Sequence, residues 1–176
     1  MKSVLVSALC ASLSVLSAPV SAQVQVSGRS VPLAIAVDAA AAALKRCEAD
    51  GYRVTVSVVD AAGVERVRLR GDHSTIHTSE TAFRKAYTVI TLGPIFKATT
   101  TSALTERIGK TPNLPALSTI DHVIFLAGGV ALQAQGEFLG AIGVGGAPGG
   151  ALDEQCAQAG VQAVQARLDG LGVPSN

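Results

Sequence analysis

Alternating apolar and polar positions predict a β-hairpin in the first half of the chain. Tyr52 to Asp60 is rich in Val and Thr, as expected of a strand. Val64 to Arg70 predicts the strand that returns after a tight connection at residues 61–63. Because this connection is so short, the two strands are expected to be antiparallel neighbours.

The returning strand is predicted to carry three arginines on one face. Its period of two places Arg66, Arg68 and Arg70 together, and the other face receives Glu65, Val67 and Leu69. Arginines placed in this way could hold a ligand carboxylate through paired hydrogen bonds. They could equally form a solvated face or a subunit contact.

Apolar residues at helical spacing predict four helices around the remaining strands. The predicted helices span residues 32–49, 77–91, 96–108 and 152–168, and the further strands span residues 122–126, 130–135 and 137–144. Residues 111–115 are predicted to be an irregular connector. Hairpin-length connections favour an antiparallel sheet, so the fold class is α+β with one domain.

The first 22 residues have the pattern of a cleaved signal peptide. Lys2 is followed by an apolar run from Val4 to Leu16, and Val20 to Ala22 supplies the small residues of a cleavage site. The run is too short to span a membrane, and no later segment is long enough. We therefore expect residues 1–22 to be removed and residues 23–176 to form a domain that is periplasmic or secreted.

Composition excludes one broad class of partner. Removing Lys2 leaves the mature chain with equal numbers of basic and acidic residues, and aromatic residues make up only 3% of the sequence. Nucleic-acid binding favours a basic surface and stacking rings, so no nucleic-acid partner is expected.

Two cysteines remain after cleavage, Cys47 and Cys156, each on a predicted helix. An even pair in an exported protein suggests a disulfide. The alternative is a pair of buried thiols that act as small apolar side chains.

A glycine-rich segment, Gly143 to Gly150, precedes the last predicted helix and suggests a phosphate-binding loop. It lacks the Lys-Ser/Thr that ends a P-loop. Asp153 and Glu154 in the first helical turn would repel an anion. The segment is therefore interpreted as a close-packed turn that could line a pocket.

His73 and His77 are four residues apart, a spacing that brings two rings together on one helix. Ser74 and Thr75 resemble capping residues, however, so His73 is expected to precede the helix. No third ligand has a recognisable spacing, and no metal site is predicted apart from a haem iron at His77. Either histidine could ligate haem iron or act as a general acid or base, or it could lie on the surface or cap the helix. His122 is interpreted as structural.

Several motifs in order resemble the GlcG/HbpS-like (haem-degrading) family across residues 31–168. The motifs are Val58-Val-Asp-Ala-Ala-Gly63, Arg84-Lys-Ala-Tyr-Thr88, Gly128-Gly129, Gly140-Ala-Ile-Gly-Val-Gly-Gly146 and Asp153-Glu-Gln-Cys-Ala157. The resemblance implies a profilin-like fold, with a five-stranded antiparallel sheet flanked by about four helices. It also implies homo-oligomers and haem as the ligand or substrate.

Together, the residues and the resemblance favour an exported haem-binding protein that contributes to haem capture or degradation. His77 is the preferred iron ligand or proton donor and His73 the second choice. The other candidates for the haem site are Arg66, Arg68 and Arg84 for the propionates and Phe83, Tyr87 and Phe96 for the apolar lining. No catalytic residue is assigned. The alternative hypothesis is an oligomeric module that binds another small molecule, or serves as an accessory, without catalysis.

Overall fold

The computed structural model describes residues 29–171. The predicted signal peptide lies outside the described residues. Within residues 29–171, five helices and four strands follow one another: α1 (Leu33–Ala49), β1 (Thr55–Asp60), β2 (Glu65–Arg70), α2 (His77–Phe96), α3 (Thr101–Gly109), α4 (Leu114–Leu117), β3 (Gly129–Ala134), β4 (Glu137–Gly145) and α5 (Gly150–Asp169).

The strands form one antiparallel sheet in the order β2-β1-β4-β3. Helices α1 and α5 pack on one face, over a core of Val56, Val58, Ile142 and Val144. Helices α2 and α3 pack on the other face, over Val59, Ala131 and Ala141. The predicted α+β class is confirmed.

The hairpin turn is fixed by local chemistry. The Asp60 carboxylate accepts hydrogen bonds from the backbone N–H groups of Ala62 and Val64, each at 3.0 Å. Gly63 adopts a φ of 80°, a conformation that glycine takes without strain. The short Ala-Ala-Gly connection therefore makes the tight turn that its sequence predicts.

A β-bulge changes the predicted faces of β2. The register shifts between Val58 and Val59, so that Glu65 lies opposite Val59. The Ser57 hydroxyl donates to Glu65 at 2.7 Å, and Arg68 Nε donates to the same carboxylate at 2.8 Å. Glu65 therefore lies on the side of Arg68 and Arg70, and its predicted place beside Val67 is wrong because the bulge at Arg66 interrupts the period of two.

The prediction of five strands is also wrong, because residues 122–126 do not form a strand. His122 has a φ of 64°, which starts the segment in a turn. The backbone N–H of Ile124 donates to Thr88 Oγ1 at 2.8 Å, and the carbonyl of Val123 accepts from Arg84 Nη2 at 2.6 Å. Side chains of α2 thus satisfy backbone groups that a strand would pair with a neighbour.

Helix α2 is longer than predicted, because it continues past Gly93 and Pro94 to Phe96. The final turn closes when Ala98 donates its backbone N–H to the carbonyl of Gly93 at 3.0 Å, and Lys97 takes a left-handed φ of 51°. A side chain at Gly93 would clash with the Ala98 carbonyl, since its Cβ would lie 2.6 Å from that oxygen. Helix α3 begins at Thr101, later than predicted, and residues 111–115, predicted to be an irregular connector, include the start of the short helix α4.

Helices α1 and α5 approach closely and are covalently joined. A Cβ at Gly160 would lie 2.6 Å from the carbonyl oxygen of Ala39 and 2.9 Å from Ala43 Cβ. Cys47 and Cys156 form a disulfide with a Cα–Cα distance of 5.5 Å, which confirms the predicted pairing. This face of the sheet is therefore held by close packing and by a crosslink between distant parts of the chain.

Candidate functional site

A cleft of about 740 Å³ opens between the first half of α2, helix α3 and the first turn of α5. The segment before β3 and the glycine-rich loop after β4 complete its walls. Its lining residues are Thr75, His77, Thr78, Thr81, Lys85, Ser102, Thr105, Glu106, Phe125, Leu126, Ala127, Gly146, Ala147, Gly150, Ala151 and Asp153.

A buried ion pair forms the floor of this cleft. Lys85 Nζ lies 2.6 Å from Asp153 Oδ2 and donates a second hydrogen bond to the carbonyl of Val144 at 2.9 Å. Both side chains are almost fully buried. The other carboxylate oxygen of Asp153 accepts the backbone N–H of Ala147 at 2.9 Å. The pair therefore links α2, the end of β4, the glycine-rich loop and the start of α5.

Burial raises the pKa of Asp153. Loss of solvent around its carboxyl raises its pKa above the ordinary value of 3.8, while the ammonium of Lys85 opposes this shift. The interpretation of Asp153 only as a first-turn carboxylate that would repel an anion is therefore incomplete. Asp153 lies in the first turn of α5 but is also the partner of a lysine from α2.

Glu154 links a second set of backbone groups beside the floor. Its carboxylate accepts from the Ser102 hydroxyl at 2.5 Å, from the Ser102 backbone N–H at 3.2 Å and from the Gly128 N–H at 3.2 Å. Ser102 is in the first turn of α3, where a carboxylate complements the helix dipole. Glu154 thus fixes α3 against the segment that leads into β3.

Three buried hydroxyls hold the beginning of α2. Thr55 Oγ1 lies 3.1 Å from Ser74 Oγ and 2.7 Å from Thr78 Oγ1, and the last two atoms are 2.7 Å apart. Arg70 donates to the carbonyl of Ser74 through Nε at 3.0 Å. Because His77 is the first residue of α2, this network positions its backbone at the edge of the cleft.

The two candidate histidines occupy different places. His77 is exposed and lines the cleft. His73 lies in the preceding turn with a φ of 63° and is not among the lining residues. Only His77 is therefore presented to the cleft, and within residues 29–171 no group of three His, Cys, Asp or Glu residues could hold a metal ion.

The candidate arginines lie away from the cleft lining and have partners of their own. Arg66 lies 3.6 Å from Asp60, and Arg68 is bonded to Glu65, both at the hairpin. Arg84 donates to the carbonyl of Val123. These side chains thus contribute to the hairpin and to the segment that replaces the predicted strand.

The candidate aromatic residues belong to a separate cluster. Phe83 and Tyr87 lie 5.3 Å and 5.7 Å from the ring of His122, each in an edge-on arrangement. Phe96 packs against the same α2-side core. None of the three lines the cleft. A second, polar pocket of about 390 Å³ lies beside Arg84 and His122.

Lys85 and Phe125 are the site residues that sequence reasoning missed. Lys85 enters the sequence analysis only as part of the Arg84-Lys-Ala-Tyr-Thr88 motif, whereas the structure buries it to 3% exposure. Its position between Ala82, Ala86 and Val89 on the buried side of α2 was an available signal. Phe125 lies in the segment that was predicted to be a strand.

The cleft combines an imidazole, several hydroxyls and an apolar wall above a neutralised floor. Phe125, Leu126, Ala127, Ala147 and Ala151 supply the apolar surface. Such a cleft suits a mostly apolar small molecule with a few polar groups. None of the helices in residues 29–171 is long and apolar enough to cross a membrane.

Comparison with known proteins identifies relatives over most of the chain. A family model described as "Haem degrading protein HbpS-like" matches residues 31–162. A crystal structure of a double mutant of Streptomyces reticuli HbpS is 37% identical, with a TM-score of 0.70 and coverage of 89% of this chain and 99% of that chain. No curated protein matches the chain.

Two more distant structures share the fold. A PduOC:Heme complex is 27% identical, with a TM-score of 0.66 and coverage of 76% of this chain and 94% of that one. The Klebsiella pneumoniae protein ORFY is 24% identical, with a TM-score of 0.69 and coverage of 88% and 99%, and it supports the fold alone.

Proposed function

Because this chain belongs to the HbpS-like family of haem-degrading proteins, we propose that it binds haem in the cleft above Lys85 and Asp153. The cleft carries the proposal, since it offers about 740 Å³ bounded by an apolar wall, with an exposed imidazole at its edge. Sites for small molecules and cofactors have this size and character.

His77 is the proposed iron ligand. Haem iron commonly takes a histidine ligand and, when bound, supplies a redox-active centre. His77 is the one histidine among the lining residues, whereas the second candidate, His73, lies in the turn before α2. The PduOC relative, crystallised as a haem complex, adds support for a haem ligand.

The roles proposed for the other candidates change with their positions. Arg66, Arg68 and Arg84 would have to leave their present partners to reach a propionate in the cleft. Phe125 and Leu126 take the place of the aromatic lining proposed for residues of α2. Haem capture is the activity that this arrangement supports best, and a contribution to haem degradation is the further step that the family suggests.

Titration of the purified mature chain with haemin tests the proposal. Wild-type protein is expected to shift the Soret band, and His77→Ala is expected to alter that shift. His122→Ala, at an exposed histidine of the other pocket, is the matched control and should behave as wild type. The absence of a shift with wild-type protein would remove haem from the proposal. A normal shift with His77→Ala would remove only the ligand assignment.

A second pair of variants tests the location. Ala151→Trp places a bulky ring in the cleft and should weaken haemin binding, while Ala116→Trp adds the same ring at an exposed position of α4. Equal haemin affinity in the two variants would mean that the ligand binds elsewhere.

An oligomeric module for another small molecule is the second candidate. It is favoured by the arginines, because each predicted propionate anchor already has a protein partner. A protein that ignores haemin and forms a defined homo-oligomer in light scattering would support this alternative.

Export to the periplasm or the exterior is part of the proposal. The leader pattern of residues 1–22 and the disulfide between Cys47 and Cys156 support it, since disulfides persist in oxidising compartments. Mass spectrometry of the protein recovered from a periplasmic fraction tests it, and the expected chain begins at Gln23.

A further inference from the structure

The charges around the cleft are unevenly placed. Among its lining residues, Lys85 is the one lysine or arginine, and Asp153 and Glu106 are the acidic residues. Lys85 and Asp153 are buried at the floor, whereas Glu106 is exposed at the rim and pairs with Lys110 at 3.2 Å. Any anionic group of a ligand would therefore meet very different surroundings at the floor and at the mouth.

The Lys85 ammonium at the floor of the cleft already donates hydrogen bonds to protein groups. Lys85 uses two of its three donors on Asp153 and on the carbonyl of Val144. Asp153 lies within 2.6 Å of it, so the charge of the lysine is balanced by a carboxylate. A ligand carboxylate brought to this floor would lose its water and meet Asp153 as a like charge, which is costly.

The nearby helix end does not change this balance. The positive end of the α5 dipole lies at Gly150 and Ala151, which line the cleft. Asp153 occupies the first turn of the same helix and also accepts the N–H of Ala147. The same carboxylate thus offsets both the lysine and the helix end.

The rest of the cleft separates apolar from polar surface. Phe125, Leu126 and Ala127 form a continuous apolar segment along one wall. The polar side of the cleft is formed by Thr75 and Ser102, which are exposed, and by Thr105, which is half-buried. Carboxylates can keep their hydration at such a mouth, while an apolar ring edge gains from burial against the wall.

We propose that the cleft takes tetrapyrroles with the apolar edge inward and the carboxylates at the mouth, and that the Lys85–Asp153 pair excludes tetrapyrroles with carboxylates on every edge. This inference rests on the proposed haem-binding function and assigns its specificity. Haem satisfies the requirement because both of its propionates lie on one side of the ring. Lys85 and Asp153 then determine specificity without holding the propionates.

Ligand affinities measured by absorbance titration test the orientation. Haemin dimethyl ester, which lacks the propionate charges, is expected to bind wild-type protein within about threefold of haemin, since hydrated carboxylates at a mouth contribute little. If a propionate instead bonded to Lys85, the ester would bind about tenfold more weakly or worse. That result would overturn the inference while haem binding stands.

Iron uroporphyrin, with carboxylates on every edge, tests the exclusion. It is expected to bind wild-type protein at least about tenfold more weakly than haemin, because burial of an unpaired carboxylate is unfavourable. Its methyl ester serves as the size control and should recover part of the lost affinity. Equal affinity for iron uroporphyrin and haemin would overturn the exclusion.

The variant Asp153→Asn tests whether the negative charge of Asp153 causes the preference for haemin over iron uroporphyrin. The variant leaves Lys85 without its counter-charge, so its affinity for iron uroporphyrin is expected to rise relative to its affinity for haemin. An unchanged ratio in folded variant protein would overturn the role of the pair. The ester comparison uses wild-type protein alone, so it decides the orientation even if the variant does not fold. Absence of any haemin shift in wild-type protein would overturn the inference and the proposed function together.

Discussion

The two faces of the sheet differ in how their helices are held and in whether they border a cleft. On one face, α1 and α5 meet through alanines and Gly160 and are joined by the Cys47–Cys156 disulfide. On the other, α2 borders a cleft whose floor is the buried pair of Lys85 and Asp153. The first face gains stability from close packing, whereas the second keeps buried charge that is tolerated only because it is paired.

This contrast separates stability from binding. Small side chains let two helices approach until backbone atoms are in contact, which leaves no room for a ligand. The buried pair connects four parts of the chain and so fixes the position of the cleft floor. The opposite charges of its two members balance each other. Perturbing each face separately should therefore change different observables.

Loss of the disulfide is expected to have the largest effect. The bond crosslinks residues 109 positions apart, so its removal in Cys47→Ala/Cys156→Ala should lower the free energy of unfolding by about 4–5 kcal/mol. Urea unfolding with and without reductant provides the measurement. Below the unfolding transition, haemin titration should stay close to wild type, because Cys47 and Cys156 lie in the core between α1 and α5 and are not among the residues that line the cleft. Equal stability in the two redox states would contradict the first expectation.

Removing one member of the buried ion pair should cause the second-largest loss of stability. Lys85→Met leaves Asp153 buried without its cation and is expected to lower the free energy of unfolding by about 3 kcal/mol. Lys110→Met is the matched control, because Lys110 forms an exposed pair with Glu106 and should change stability by no more than about 0.5 kcal/mol.

Replacing both members of the buried pair isolates the cost of the unpaired charge. Lys85→Met/Asp153→Asn should recover much of the stability lost in Lys85→Met, as measured by urea unfolding. A double variant as unstable as the single one would show that packing of the lysine stem, rather than the orphaned carboxylate, dominates.

The helix contact on the opposite face gives a smaller effect. Gly160→Ala forces a Cβ against the Ala39 carbonyl and should cost about 1–3 kcal/mol. Gly109→Ala is its control, since a Cβ there meets nothing within 4 Å. That variant should be neutral or more stable by up to about 1 kcal/mol in thermal or urea unfolding. Similar destabilisation in both variants would argue against the close contact.

The pH dependence of stability should show the smallest effect. Burial raises the pKa of Asp153 above 3.8, so above that pH the folded chain holds this proton more tightly than the unfolded chain does. The contribution of Asp153 to the free energy of unfolding therefore falls as pH rises through the window between the two pKa values. Urea unfolding at a series of pH values from 3.8 upward should show the stability of wild type falling relative to Asp153→Asn. A rising difference would contradict the sign.

Local sequence signals predicted most of the fold. Pro32 and the alanines of α1, the Ala-Ala-Gly turn, and the hairpin of β3 and β4 each carry their own structural preference within a few residues. The error at residues 122–126 has a different origin. Those residues are apolar enough for a strand, but Thr88 and Arg84 of α2 bind their backbone groups, and this competition is visible only after the chain folds.

The site was less predictable for the same reason. His77 could be proposed because histidine chemistry can be recognised from one residue, and its side chain is among those that line the cleft. The partnership of Lys85 with Asp153 joins positions 68 apart, and neither residue identifies the other by spacing. The aromatic residues of α2 have the same helical spacing as the core residues of that helix, so spacing alone could not show whether they line a pocket or pack in the core.

The exposed edge of strand β2 could pair with the same edge of a second copy of the protein. Within residues 29–171, β2 pairs with a strand on one side only, and its exposed side chains include Arg66 and Arg68. If two copies joined these edges antiparallel, arginines of one chain would approach arginines of the other. Such like-charge contacts disfavour growth of a continuous sheet between molecules. The bulge and the charged side chains of β2 are thus features that disfavour edge-to-edge pairing of two copies.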